Sequence, residues 1–261
     1  MLAEINFGKT AQDYATHRAG FPPVLMDRLR PFNIGIANQT ILDIGTGTGT
    51  LARLFALQGC RVSAIDPAPE LLDQARLLDQ EAGVTIDYTV GQSECTGLRE
   101  NKQFDVVAAG QCWHWFDAGR ACREIERLLK PGGKILITHF DWLPLDGNLV
   151  AKTEELILQH NPAWHMGGGS GVYPQWFKDL GNAGFRNLES FSLEMPVAYS
   201  HDAWRGRIRA SAGISASLAP DQVQAFDTAH QEMLEKYFPE DPLMVPHRLW
   251  ALIGEAPLRS A

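Results

Sequence analysis

A chain of 261 residues is long enough for one large domain, or for one domain with a substantial cap. Its 45% hydrophobic and 21% charged residues are those of an ordinary soluble globular protein, and a net charge of −8 disfavours a nucleic-acid partner, which needs a basic face. The one basic cluster, Arg205, Arg207 and Arg209, reads first as a solvated helix face, and no apolar run approaches the roughly 20 residues that cross a membrane.

In chain order, residues 1–39 are expected to form a helical lid, broken at Phe21-Pro22-Pro23, with a second helix over 24–30. The N-terminal stretch lacks the charged-then-apolar pattern of a signal peptide. Cys60, Cys95, Cys112 and Cys122 form no C-x-x-C pair and no metal-like spacing with histidine, so no metal is expected and a cytoplasmic location is. From residue 40 the character changes. Short apolar runs at 40–44, 61–65, 84–90, 104–109 and 134–138 alternate with helical spacings at 51–57, 69–81 and 120–129. Strands alternating with helices imply parallel pairing through right-handed crossovers, hence an α/β doubly wound sheet with its core over 40–140.

After His139 the pattern loosens. Residues 141–173, rich in Trp, Gly and Pro, are expected to be a cap or flap insertion with a flexible run at Gly167–Gly171. Residues 174–197 resume a core helix (175–182) and strand (186–197). Residues 198–245 are expected to be a helical cap of two helices, 202–217 capped by Asp202 or His201 and 221–237 capped by Asp221. Residues 246–261 complete the chain with a last strand over 247–254 and a tail.

The core signal is ILDIGTGTGT, residues 41–50, where a strand runs into a glycine loop and then a helix. Glycines allow sharp turns and close ligand approach, and the helix N-terminus beyond offers free N–H groups. Asp66 ends the next strand, where a carboxylate can accept from both ribose hydroxyls. Nicotinamide and flavin folds want G-x-G-x-x-G, whereas here the glycines fall at 45, 47 and 49 and position 50 is Thr. Asp43 precedes the loop, and a negative charge there suits an ammonium better than a pyrophosphate. S-adenosylmethionine (SAM) carries an ammonium and no phosphate. A ligand-free glycine turn, an NAD-dependent oxidoreductase and a non-catalytic SAM-binding module stay open as alternatives.

With these residues the chain resembles the class I SAM-dependent methyltransferases. The closer likeness is to the small-molecule, type 11 branch that includes the ubiquinone-biosynthesis and trans-aconitate methyltransferases. ILDIGTGTGTLA, VSAIDPAPELLDQAR, VGQSECTGL, FDVVAAGQCWHWFD and LLKPGGKILIT carry it in order through residues 40–138, preceded by the leader DYATHRAGFPP. The resemblance implies a Rossmann-like, mostly parallel seven-stranded sheet with a helical cap, and methyl transfer to a small-molecule acceptor. It places Gly45, Thr46, Gly47 and Gly49 around the methionine and ribose of SAM, Asp66 on the ribose hydroxyls and Pro67 beside the adenine. Gln92 and Ser93 take the adenine-contacting position, where many relatives have Asp in place of Gln92. Gly110 and Gln111 would border the transferring methyl, and Tyr14 would close over the cofactor.

Methyl transfer from a sulfonium asks the protein mainly to align the acceptor and exclude water. His114 and His139 are the candidates to orient or deprotonate it. Trp113 and Trp115 either pack the following helix or line the site, where aromatic faces stabilise a sulfonium. Trp142, Trp164 and Tyr173, with His17 and Arg18 on the leader, complete the candidate substrate contacts.

Overall fold

A computed structural model describes residues 20–99 and 103–257, so Tyr14, His17, Arg18 and the expected lid lie outside the described residues. Helix α1 (Val24–Leu29) precedes β1 (Thr40–Ile44), α2 (Thr50–Leu57), β2 (Arg61–Asp66), α3 (Pro69–Ala82), β3 (Asp87–Val90) and β4 (Phe104–Gly110). Then follow α4 (Ala118–Leu128), β5 (Leu129–Trp142), α5 (Leu149–His160), α6 (Gln175–Asn182), β6 (Arg186–Tyr199), α7 (His201–Arg209), α8 (Pro220–Tyr237) and β7 (Leu243–Glu255).

The seven strands form one sheet in the order β3-β2-β1-β4-β5-β7-β6. The first five pair in parallel, with Ile41 opposite both Val62 and Val106, and Val107 opposite Ile135. Bonds from Ala256 N to Gly133 O and from Leu143 N to Pro246 O show β7 descending as β5 ascends, so that pair is antiparallel. The reversal of direction from β1 to β2 and from β1 to β4 makes a topological switch point at the carboxyl end of β1, the usual ligand crevice of such sheets. Burial follows position: TILDI of β1 is buried on both faces, while edge strand β6 alternates half-buried and exposed residues. This is the mostly parallel, Rossmann-like α/β sheet expected.

The chain divides into two compact units, and passes between them within β5, β6 and β7. One comprises Gly20–Phe140, Val172–Leu193 and the chain from Leu249. Its core joins Leu42, Val107, Ile137 and Leu252 on one face of the sheet with Ile125 of α4 and Trp176 of α6. The other comprises Asp141–Gly171 and Glu194–Arg248, with a core of Val150, Ile157, Trp204, Ile208, Phe226 and Val245 in which α5 and α7 both pack on α8.

Four local expectations need correction. The stretch 141–173 is not loose throughout, because Asn148 caps a full helix, accepting from Ala151 N at 2.9 Å, and Leu149, Val150, Thr153 and Ile157 bury one face. Helix α7 stops at Arg209 rather than Ser217: turns take over at Ser211, and a Cβ at Gly213 would stand 2.9 Å from Ile157 Cγ2. Its N-cap is Ser200, whose Oγ accepts from Ala203 N at 3.1 Å, and not Asp202 or His201. Helix α8 begins a residue early, after Ala219, whose N–H donates to Gln222 Oε1 at 3.1 Å. Among the described residues no helix is long and apolar enough to cross a membrane, and no cluster of His, Cys, Asp or Glu has the makings of a metal site.

Candidate functional site

Strand β1 delivers Asp43 and then turns through Gly45, Gly47 and Gly49, whose φ values of 65°, 58° and 76° are left-handed. Space as well as dihedral excludes a side chain at two of them. A Cβ at Gly45 would lie 2.9 Å from Cys112 Sγ, and one at Gly49 would lie 2.5 Å from the Tyr88 hydroxyl. The loop is held by backbone and by carboxylate. Thr46 N donates to Ile65 O (3.0 Å), and Gly47 N donates to Asp66 Oδ2 (2.8 Å). Arg53, one turn into α2, donates through Nη2 to Thr48 O (2.9 Å) and through Nε to Asp79 Oδ1 of α3 (2.9 Å).

Two carboxylates meet this loop. Asp66 Oδ1 accepts from Ala68 N at 2.9 Å, so each oxygen holds one amide and keeps a further lone pair for a hydroxyl. Burial raises its pKa above the usual carboxylate range, opposed by those two amides. Asp43 is 1% exposed, and its Oδ2 accepts from Thr46 Oγ1 at 2.6 Å. Burial lifts its pKa to about 7, with the Asp66 charge adding to the rise and the Thr46 hydroxyl and Ala52 amide opposing it. Its Oδ1 is buried with no hydrogen-bond donor among the described residues. A buried acceptor without a donor is costly, and a cation or donor brought by a ligand would satisfy it. The donor set therefore fits a molecule with an ammonium and a ribose.

The other expected cofactor residues sit at neighbouring strand ends. Pro67 is exposed just after β2, Gln92 is exposed just after β3, and Ser93 beside it is buried with its hydroxyl donating to Glu94 Oε2 (2.9 Å). Gly110 ends β4, where a Cβ would meet Phe21 Cε2 at 2.9 Å and Leu51 Cδ2 at 3.0 Å. Gln111 takes a left-handed φ of 62°, bridging to β5 through its N–H to Thr138 O (2.9 Å) and its Nε2 to Phe140 O (2.6 Å).

A 3-10 turn over Trp113–Trp115 follows, and the two tryptophans part company. Trp113 is 1% exposed and its Nε1 donates to Asp179 Oδ2 at 3.2 Å, the position of a packing residue. Trp115 is exposed. His114 is also exposed, its ring 4.5 Å from Trp115 and 5.5 Å from His139. His139 is buried, with Tyr173 and Trp176 rings 4.6 and 4.9 Å away, and Tyr173 lies flat on Trp176 at 4.0 Å. The fold thus gathers His114, Trp115, His139 and Tyr173 in one unit. Trp142 and Trp164 belong to the other unit. There the Trp142 Nε1 donates to Glu154 Oε1 at 2.8 Å, and Trp164 lies in the apolar core. Glu154 also accepts from Gly168 N at 2.7 Å, and burial raises its pKa.

Sequence reasoning missed the loop's braces. Tyr88, Cys112 and Phe116 surround the glycines from strands and turns distant in sequence, and no one-dimensional pattern signals that meeting. Arg53 was within reach of a sequence argument, since it stands four residues after Gly49 in the first turn of the loop's own helix.

The methyltransferase domain family matches residues 42–137. An uncharacterised methyltransferase of Mycobacterium tuberculosis is 36% identical over 132 residues, 50% of this chain and 50% of the relative, so the chain spans half the length of that relative. A ubiquinone biosynthesis O-methyltransferase of Xanthomonas oryzae pv. oryzae is 31% identical over 190 residues, 72% of this chain and 77% of the relative. The crystal structure of phosphoethanolamine N-methyltransferase 2 of Haemonchus contortus, in complex with phosphomonomethylethanolamine and S-adenosylhomocysteine, superposes with a TM-score of 0.57 at 20% identity, covering 97% of this chain and 57% of that one.

Proposed function

Because the chain belongs to the SAM-dependent methyltransferases, we propose that it transfers a methyl group from SAM to a small organic acceptor by in-line displacement. The single observation that carries the cofactor assignment is the buried Asp43 Oδ1, an acceptor without a donor at the start of a left-handed glycine loop whose far side is held by Asp66. An ammonium meets the one carboxylate and ribose hydroxyls the other. A small-molecule acceptor is supported by the ubiquinone-biosynthesis relative.

On this reading Gly45, Thr46, Gly47 and Gly49 surround the methionine and ribose, Asp66 accepts from the ribose hydroxyls, and Pro67, Gln92 and Ser93 border the adenine. Gly110 and Gln111 stand beside the reacting centre. The cofactor supplies an electrophilic methyl on a sulfonium, so the chain's own work is alignment and exclusion of water. His114, exposed beside Trp115, is proposed to orient or deprotonate an acceptor, with the buried His139 ring 5.5 Å away as the second candidate. Trp115 and Tyr173 supply aromatic surface in the same unit.

Isothermal calorimetry with SAM and with NAD tests the cofactor, and mass spectrometry of products across a panel of phenols, amines, thiols and acids tests the transfer. SAM binding with methylated product is the expected result. SAM binding without any product would favour a non-catalytic SAM-binding module.

A further inference from the structure

Three arginines on α7 face two ways. Arg205 and Arg209, four residues apart and so on one face of the helix, both pair with Asp227 of α8. Arg207, between them, points elsewhere. Its guanidinium lies over the Trp142 ring, with Cζ 4.7 Å from the ring centroid, and it is part-buried. Burial lowers its pKa, and Tyr199 and Asp141 act on its charge, both raising it. The remaining walls are aromatic: Tyr199 stacks on His247 at 5.9 Å and meets Trp204 edge-on at 5.3 Å. His247 is buried and turns Nδ1 to the Val245 carbonyl at 3.0 Å.

A guanidinium stays charged at every accessible pH and carries five N–H donors in a rigid fork. Set over the Trp142 ring, the Arg207 guanidinium has no carboxylate paired to it among the described residues. A planar oxyanion fills such a fork with two parallel bonds, and aromatic walls suit an organic body attached to it. The nearby Asp141 charge disfavours a doubly charged phosphate more than a single carboxylate.

We propose that Arg207, with Trp142 and Tyr199, forms a binding site for the carboxylate of a small organic acid, and that Arg207 is the residue that selects it.

Calorimetry of the full chain with benzoate and with its neutral isostere benzamide tests the site. Wild-type protein should bind benzoate about tenfold or more tighter than benzamide, the scale of charge-assisted hydrogen bonds. Arg207→Gln should erase the difference, and Arg207→Lys, which keeps the charge and loses the fork, should keep only part of it. Equal binding of benzoate and benzamide by wild type overturns the proposal without any variant. So does an undiminished preference in a folded Arg207→Gln or Arg207→Lys protein, and inorganic phosphate competing as well as benzoate overturns the carboxylate assignment.

Discussion

Asp43 places a carboxylate where water is excluded and the Thr46 hydroxyl donates to one of its oxygens. The pH consequence has a definite sign. Its folded pKa of about 7 lies above the unfolded value of 3.8, so the folded protein holds the extra proton between them. Stability of the ligand-free chain from this group is full below about pH 4 and is lost as pH rises through 7, by roughly 4 kcal/mol at most. Asp43→Asn should flatten that part of the curve of denaturation midpoint against pH. SAM affinity should move the other way, rising as pH climbs to about 7 because the ammonium requires the ionised carboxylate, and the slope should vanish in the same variant. Asp66 makes a simpler prediction. Replacing it with Ala removes charge-assisted acceptors for two hydroxyls and should weaken SAM binding by roughly 2–4 kcal/mol in calorimetry. Unchanged affinity there would put the ribose elsewhere.

The elements around these residues show what sequence could and could not announce. The runs 40–44, 61–65, 69–81 and 104–109 match the observed β1, β2, α3 and β4 to within a residue, because buried parallel strands and amphipathic helices write their burial into local pattern. The glycine loop with Asp43 and Asp66 was legible for the same reason: its chemistry is contiguous with two strand ends. Helix α5 was overlooked among the tryptophans and glycines around it, although Asn148 and the spacing of Leu149, Val150, Thr153 and Ile157 carry its signal. What surrounds the loop was not legible, since Tyr88 and Cys112 reach it only through tertiary contact. Two substitutions test the elements. Asn148→Ala should cost about 1 kcal/mol by removing the cap of α5, measured by urea denaturation. Arg53→Met should cost about 3 kcal/mol, since it strands the buried Asp79 and frees the Thr48 carbonyl, and should also weaken SAM binding by loosening the loop.

At the scale of the whole molecule, buried groups in the two units respond to pH with opposite sign. Asp43 costs its unit stability as pH rises toward 7. His230 and His247 cost theirs stability as pH falls, because burial lowers those imidazoles to about 3 and about 4 from 6.5, and the unfolded chain takes up protons first. Their contribution is present above pH 6.5 and disappears down to pH 3–4, so limited proteolysis at pH 5 should cut within Asp141–Gly171 or Glu194–Arg248 before the rest of the chain. First cuts in the parallel sheet would speak against it. The central claim, that the crevice at the switch point takes SAM, is tested most directly by calorimetric titration of the wild-type chain with SAM and with NAD at neutral pH. Saturable SAM binding, weakened in Asp66→Ala and accompanied by no appreciable NAD binding, is the predicted result; NAD binding without SAM binding would contradict it.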